Sequence, residues 1–443
     1  MKRKYAFIIA LFISASMAIA QKASTKSARN YFPDGSKMSE WFQDAKKVEL
    51  SSLGKTYNLA DYGIFSDPGT TQTEKIQAVI DKAASEGGGV VVIPEGIYKS
   101  GALYFKQGVN LHLVRGAMLL GSEKITDFPL KEMRTEGKTG PFFSALINVD
   151  HQDGFSISGE GTIDGNGSYY WQAFRLRRKW NPKCTNKDEQ RPKLIYISNS
   201  KNVTISGVTL QNSPFWTSHF YRCDHVKVLG VRYFAPHYPI MSASTDGIDL
   251  DICKNFLIKG CDFTLNDDAI CFKGGKGPYA DKDTTNGPVE NVLVENCIFR
   301  DSPTSCMTCG SEAIHVNNIV MRNCQINGEH TVFRMKMRPD TPQKYENILL
   351  ENITGKCGIL LAIASWHQFF DLQDRKDMPM SYANNVTLRH CNVTCNQMAK
   401  IEDNKQVMTL TNFCLEDIQA QAKIKEWNQG AFENIKVKKV KIW

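Results

Sequence analysis

The chain has 443 residues, a formal net charge of +8 and 42 % hydrophobic residues. That length holds one large domain or two ordinary ones, and no basic block interleaved with aromatics points to a nucleic-acid partner. Lys2, Arg3 and Lys4 carry three of the positive charges, so the rest is mildly basic, a balance that suits an acidic ligand without requiring one.

Residues 1–20 read as a signal peptide. Lys2, Arg3 and Lys4 form a basic start, Ala6 to Met17 an apolar stretch, and Ala18-Ile19-Ala20 a small-x-small cleavage pattern. The expectation is export, to periplasm or medium. No later segment is apolar for long enough to span a bilayer, so no membrane association is expected after cleavage. Residues 21–50 are a polar lead-in, and 51–443 read as one catalytic domain.

Thr71-x-x-Glu74 predicts a capping box, and Ile76, Val79, Ile80, Ala83 and Ala84 share one helical face behind it. Gly87-Gly88-Gly89 stops that helix, and Val90 to Ile93 follow as a buried strand. From there onward the texture is short strands, glycines and asparagines, with almost no helical period.

An internal repeat organises the remainder. Its unit opens on Asn and an apolar residue, at Asn202, His225, Asn255, Asn291, Asn318, Asn347 and Asn385, with a degenerate last copy at Asn434. The spacing falls in the range of solenoids. The seventh positions are Val208, Val231, Cys261, Cys297, Cys324, Ile353 and Cys391. Valine, isoleucine and cysteine exchanging at one position predict an interior ladder of small apolar side chains, with the thiols serving as hydrophobes rather than as disulfides. Metal-binding Cys or His spacings are missing, so no zinc site is expected. The predicted fold is all-β: a right-handed, single-stranded parallel β-helix, plugged at its N-terminal end by the helix that covers the first coil's open edge. A β-propeller needs four strands per unit and ranks behind it. The run Lys436 to Lys441 alternates like a strand with one solvated face.

Candidate chemistry lies where two coils adjoin. Asp246 and the pair Asp267-Asp268 are about one coil apart, so three carboxylates meet on one outer face at roughly the 4.8 Å strand spacing. Mutual repulsion raises at least one pKa, which suits glycoside hydrolysis by one protonated and one ionised carboxyl. Counting from each leading Asn puts Asp267 and Asp268 level with Pro303 and Thr304, and then with His330 and Thr331. Arg334 and Lys336 follow, two apart and so on one strand face. Acids beside a cationic pair suit a uronic acid, with Arg334 and Lys336 binding its carboxylate and His330 a further contact. Phe215, Trp216, Tyr238, Trp366, His367 and Phe369 are either sugar platforms or packing.

These residues resemble the polygalacturonases. Ser244-Thr245-Asp246 is similar to that family's Asn-Thr-Asp motif, Asp267-Asp268 to its Asp-Asp motif, and Arg334-Met335-Lys336 to its Arg-Ile-Lys motif. The resemblance extends from about Tyr57 through Gly161 to Gly165 and Asn212 to Trp216. It implies single-displacement hydrolysis of pectin with inversion. Asp267 would protonate the leaving oxygen, Asp246 and Asp268 would activate water, and no metal or organic cofactor would take part. One motif departs: Thr304 stands where the family has the histidine of Gly-His-Gly. Relatives that cleave rhamnogalacturonan also lack it, so the substrate is polygalacturonan or rhamnogalacturonan, or their oligosaccharides. Alternatively His330 takes over that histidine's role. The Lys276 to Pro288 insertion would close one end of the cleft and favour exo action. The rival readings are a pectate or pectin lyase, whose acids would bind calcium, and a non-catalytic carbohydrate-binding β-helix.

Overall fold

Each repeat opens on a backbone bend that most side chains resist. In the computed structural model, which describes residues 30–300 and 304–443, the leading residues Asn202, His225, Asn255, Asn291, Asn318, Asn347 and Asn385 all have φ between +49° and +58°. An ordinary side chain loses about 1–2 kcal/mol there, and Asn tolerates it best after Gly. The Asn amides then bond along the stack: Asn318 Nδ2 donates to Asn291 Oδ1 at 3.1 Å, and Asn385 Nδ2 to Asn347 Oδ1 at 2.6 Å.

The apolar residue after each bend turns inward. Val203, Val226, Phe256, Val292, Ile319, Ile348 and Val386 pair in succession, and all are buried. The stack continues through Phe413 to Ile435. Asn412-Phe413 is therefore a further copy of the unit, one the sequence reading passed over; Asn412 has φ +54° like the others. The named strands pair in parallel throughout, except the hairpin Leu130–Thr135 with Lys138–Phe143. The fold is a right-handed parallel β-helix. Its last strand, Ile435–Ile442, is paired on one side and shows its lysines to solvent.

The cysteine ladder is in the core. Cys261, Cys297, Cys324 and Cys391 are buried, as are Cys306 and Cys309, and all thirteen cysteines are free. Cys297 Sγ donates to the Glu295 carbonyl at 3.5 Å and Cys324 Sγ to that of Arg322 at 3.3 Å, so each thiol serves a corner carbonyl that an alkyl group would leave without this bond.

Helix α1, Thr73–Ser85, lays Ile76, Val79, Ile80 and Ala83 on the first coil. The expected Thr71 capping box is not formed: Gln72 is the N-cap, without a side-chain bond, and the Thr73 hydroxyl accepts from Gly101 N at 2.7 Å instead. At Gly89 (φ +136°) a Cβ would meet the Lys55 carbonyl oxygen at 2.3 Å, so the chain re-enters the coil too closely for any side chain.

Two elements were not expected. A second helix, α2 (Ser168–Trp180), buries Tyr170, Trp171 and Phe174. The polar lead-in is also a strap across the coils. Phe32, Met38 and Phe42 bury against Leu229, Leu257, Leu293 and Val320, an apolar stripe on the outside of the stack. Its ends are tied by Asn318 Nδ2 to Asp34 Oδ2 (2.8 Å) and Lys227 Nζ to Asp44 Oδ2 (2.9 Å). The expected signal peptide lies outside the described residues. No helix among the described residues is long and apolar enough to cross a membrane. Phe42→Ala should lower stability by about 3 kcal/mol, the cost of truncating a buried aromatic. Chemical denaturation reads this directly, and an unchanged midpoint would mean the strap is not part of the folded unit.

Candidate active site

Strand alternation decides which side chains reach the outer face. In Ile248–Asp251, Ile270–Lys273, Ser305–Cys309 and Thr331–Met337, the row Ile248, Ile270, Met307, Phe333 points into the core. The neighbouring row, Asp249, Cys271, Thr308 and Arg334, points out. Asp246 and Asp267-Asp268 stand in the turns entering the first two strands. Backbone bonds hold these turns together: Thr217 N donates to Asp246 O at 2.8 Å, and Gly247 N to Asp268 O at 3.1 Å.

The structure thus brings the three predicted acids into one cluster. Asp246 and Asp267 share a hydrogen bond, and a carboxylate oxygen of Asp246 lies within 4.8 Å of one of Asp268. Lys336 Nζ is 2.7 Å from Asp268 Oδ2, and Arg334 Nη1 is 3.9 Å from its Oδ1. Lys336 also sits 4.7 Å over the Trp366 ring. Arg334 is the more open of the two cations, with a quarter of its side chain exposed (26 % against 13 %).

These surroundings separate the protonation states. Burial pushes Asp246 well above the usual carboxylate range, helped by the Asp267 and Asp249 carboxyls. Burial also raises Asp267, with the Asp268 charge beside it. Burial would raise Asp268 too, but Lys336 and Arg334 outweigh it and hold Asp268 down at about 2. One carboxylate held in its charged form therefore faces two whose protons are bound more tightly than usual.

Behind the acids lies a buried ionic network that sequence reasoning missed. Lys273 Nζ is 3.2 Å from Asp249 Oδ1, 3.6 Å from Glu312 Oε2, and 4.3 Å over the Trp216 ring. Arg134, from the hairpin, reaches Asp251 at 3.3 Å, and burial lowers Lys193 to about 7. Phe215 and Trp216 are consequently packing rather than sugar platforms, at 0 % and 3 % exposure. Strand parity from Asp249 through Asp251 carried a signal for part of this network. Nothing in the sequence placed Arg134 or Lys193 beside it.

Two expectations need correction. The pairs Ile270↔Met307 and Ser305↔Thr331 set a register one residue away from the count along the repeat. Continued toward the turn, it puts Ser305, not Thr304, level with Asp268, because the turn after Ile298–Arg300 holds an extra residue. Pro303 lies outside the described residues. His330 is 1 % exposed, with its Nε2 2.7 Å from the Arg300 carbonyl and its ring edge-on to Phe299, so it is packed into the wall and not presented to a sugar.

Among the described residues, Asp246, Asp268 and Cys271 have donor atoms close enough together to hold a cation. The set does not fit calcium, which takes six to eight oxygen ligands. Burial pushes the Cys271 thiol up, and Lys336 already supplies the positive charge.

The family model for glycosyl hydrolases family 28 matches residues 106–397, a span that contains Asp246, Asp267, Asp268, Arg334 and Lys336. The chain belongs to this family. A probable polygalacturonase from Vitis vinifera is 30 % identical over 239 residues, covering 52 % of this chain and 46 % of that protein. An exo-poly-alpha-D-galacturonosidase from Dickeya chrysanthemi is 22 % identical over 372 residues, covering 74 % of this chain and 60 % of its own length. The chain thus spans less than two thirds of either relative. Among solved structures, a hyperthermoactive exopolygalacturonase from Thermotoga maritima superposes with a TM-score of 0.66 at 19 % identity, over 90 % of this chain and 95 % of that one. This last likeness is one of fold.

Lys336→Met removes the charge that offsets the burial of Asp268. The Asp268 pKa then rises, and the acid limb of the pH–activity profile should move upward. An acid limb that stays in place would show that Lys336 does not hold this carboxylate ionised. The same group contributes stability above its unfolded pKa near 4, and that contribution is lost as pH falls toward about 2.

Proposed function

We propose that the protein hydrolyses α-galacturonosyl linkages in pectin or its oligosaccharides by single displacement, acting from a chain end. The observation that carries this reading is one buried carboxyl cluster in which two cations reach Asp268 alone, so that Asp268 is held charged while burial raises Asp267. Asp267, the acid that lines the open cavity and whose proton burial helps to retain, delivers that proton to the leaving glycosidic oxygen. Asp268, held ionised by Lys336, accepts a proton from water as the water attacks the anomeric carbon. Asp246 hydrogen-bonds Asp267 and orients the water with Asp268. Arg334, the more open cation, takes the substrate carboxylate, while Lys336 is committed mainly to Asp268.

Inverting glycosidases usually keep their carboxyls roughly 6.5–9.5 Å apart to admit water between them. Here a carboxylate oxygen of Asp246 lies within 4.8 Å of one of Asp268, so in this reading the water enters beside that pair rather than between its members. A lyase would need a free base to remove the proton α to the uronate. Lys336 is ion-paired to Asp268, which argues against that role. Contacts between loops beside the cleft support chain-end attack. Lys276 reaches 5.1 Å over the Phe369 ring, and Gly277 N donates to Thr341 Oγ1 at 3.0 Å, so the 276–288 insertion leans onto the 366–370 loop. The N-terminal pattern supports export of the enzyme.

Purified protein incubated with polygalacturonan should release saturated mono- or digalacturonate from the first minutes. Asp267→Asn should lower kcat by roughly 10²–10⁴-fold, the usual contribution of a general acid. An unsaturated, ultraviolet-absorbing product would replace hydrolysis by elimination. Release from rhamnogalacturonan alone would identify Ser305, in place of a histidine beside Asp268, as the mark of a different substrate.

A further inference from the structure

The outer corner two coils before Asp246 is unusual. One coil later the chain crosses it in residues 212–217, between Thr209–Gln211 and Ser218–Tyr221. Here it takes residues 165–194, which include α2. This insertion is fastened down. Trp171 Nε1 donates to Ser213 O at 3.1 Å, and Arg175 donates to the carbonyls of Met241 and Ser242 at 2.8 and 3.1 Å. Arg191 lies between the Phe174 and Phe215 rings, 4.1 and 5.2 Å from their centres. Arg175 thereby ties the insertion to the segment that runs into Asp246.

Between this insertion and Phe369 lies a cavity of about 770 Å³ that reaches Asp267. Ligand pockets commonly span about 300–1,000 Å³. The insertion lines it with Arg178, Lys179 and Lys183. Other charges of the insertion are accounted for: Arg177 pairs with Glu189 at 2.8 Å, and Arg175 is spent on carbonyls. Arg178, Lys179 and Lys183 have no carboxylate partner among the described residues. The fold does not need their charge, and gathering three cations around one cavity is mildly unfavourable through mutual repulsion. A ligand with fixed negative charge relieves that repulsion. A galacturonate chain carries one carboxylate per sugar, and Arg334 can take only one of them.

We propose that Arg178, Lys179 and Lys183 form a second carboxylate subsite, which binds a galacturonate other than the one held by Arg334. This rests on the hydrolase reading and adds a specificity to it: the enzyme selects a substrate with a free carboxylate away from the cleaved bond, and discriminates against methyl-esterified chains there.

The test measures binding, so that it does not depend on turnover. In an Asp246→Asn background, calorimetry compares an oligogalacturonate with its fully methyl-esterified counterpart. The acid form should bind more tightly, with an affinity that weakens as salt is added. Arg178→Gln, Lys179→Gln and Lys183→Gln together should weaken the acid form about tenfold, as expected for three exposed ion pairs, and leave the ester unchanged. Arg177→Gln, which removes a paired cation outside this cavity, should change neither. Lys183→Gln alone, in the loop beyond the helix, should give a smaller loss of the same kind if the triple variant disturbs α2. Equal weakening of acid and ester in both the triple and the single variant, or no acid preference before substitution, overturns the subsite. Failure of the unsubstituted enzyme to release any sugar overturns the hydrolase reading instead, and leaves the binding comparison intact.

Discussion

Everything in this molecule depends on stacking one coil on the next at the spacing of paired strands. Equivalent residues in neighbouring coils are held about 4.8 Å apart by backbone hydrogen bonds. Inside, that spacing rewards small apolar side chains that nest on their copies, as Cys261, Cys297 and Cys324 do. At the bends it rewards Asn, which accepts the left-handed backbone and bonds to the Asn above it. On the outer face it does something less comfortable. It forces carboxyls from adjacent turns together, where neither can move away without breaking a ladder.

That enforced crowding is the source of the chemistry proposed here. Left to themselves, three buried acids would all hold protons. Lys336 and Arg334 reach one of them, Asp268, from strand Thr331–Met337, and so lower the pKa of that acid while burial raises the other two. The second layer, with Lys273 between Asp249 and Glu312 over Trp216, lies buried behind the cluster. An insertion in one corner then adds a wall. The scaffold supplies repetition, and the irregular segments supply the substrate's surroundings.

How much of this could be read from the sequence follows from what repeats. The Asn-led unit announced the β-helix because a left-handed bend narrows the choice of residue at every turn. The acids and the Arg334–Lys336 pair were legible for the same reason: they sit at fixed places in the unit. Asn412-Phe413 escaped because the strand Met408–Ile424 follows a polar turn with no clear boundary. The registry of Ser305 was off by one because turn lengths vary, and a count along the repeat cannot detect one extra residue between two strands. His330 lay at a cleft-like position in that count but is packed behind Phe299. Helix α2 hid because its buried residues, Tyr170, Trp171 and Phe174, are few and its exposed residues mix Tyr169, Leu176 and Trp180 with Arg177, Arg178 and Lys179, which blurs the helical period. The strap from Phe32 to Phe42 has no period at all, since it crosses the coils instead of joining them. Arg134 and Lys193 reach the ionic network from segments whose path over the helix only the tertiary structure defines.

The closeness of the carboxyls makes stereochemistry the sharpest test of the central claim. Retaining glycosidases hold their two carboxyls about 5–5.5 Å apart, and inverting ones farther. The cluster here is compact, yet the account assigns it one displacement by water, with Asp268 as base and no covalent sugar on the enzyme. Proton NMR on the first product formed, recorded before mutarotation, reads the anomer directly. The account predicts the β-anomer from an α-linked galacturonan. An initial α-anomer would contradict it, and would make one of these aspartates a nucleophile.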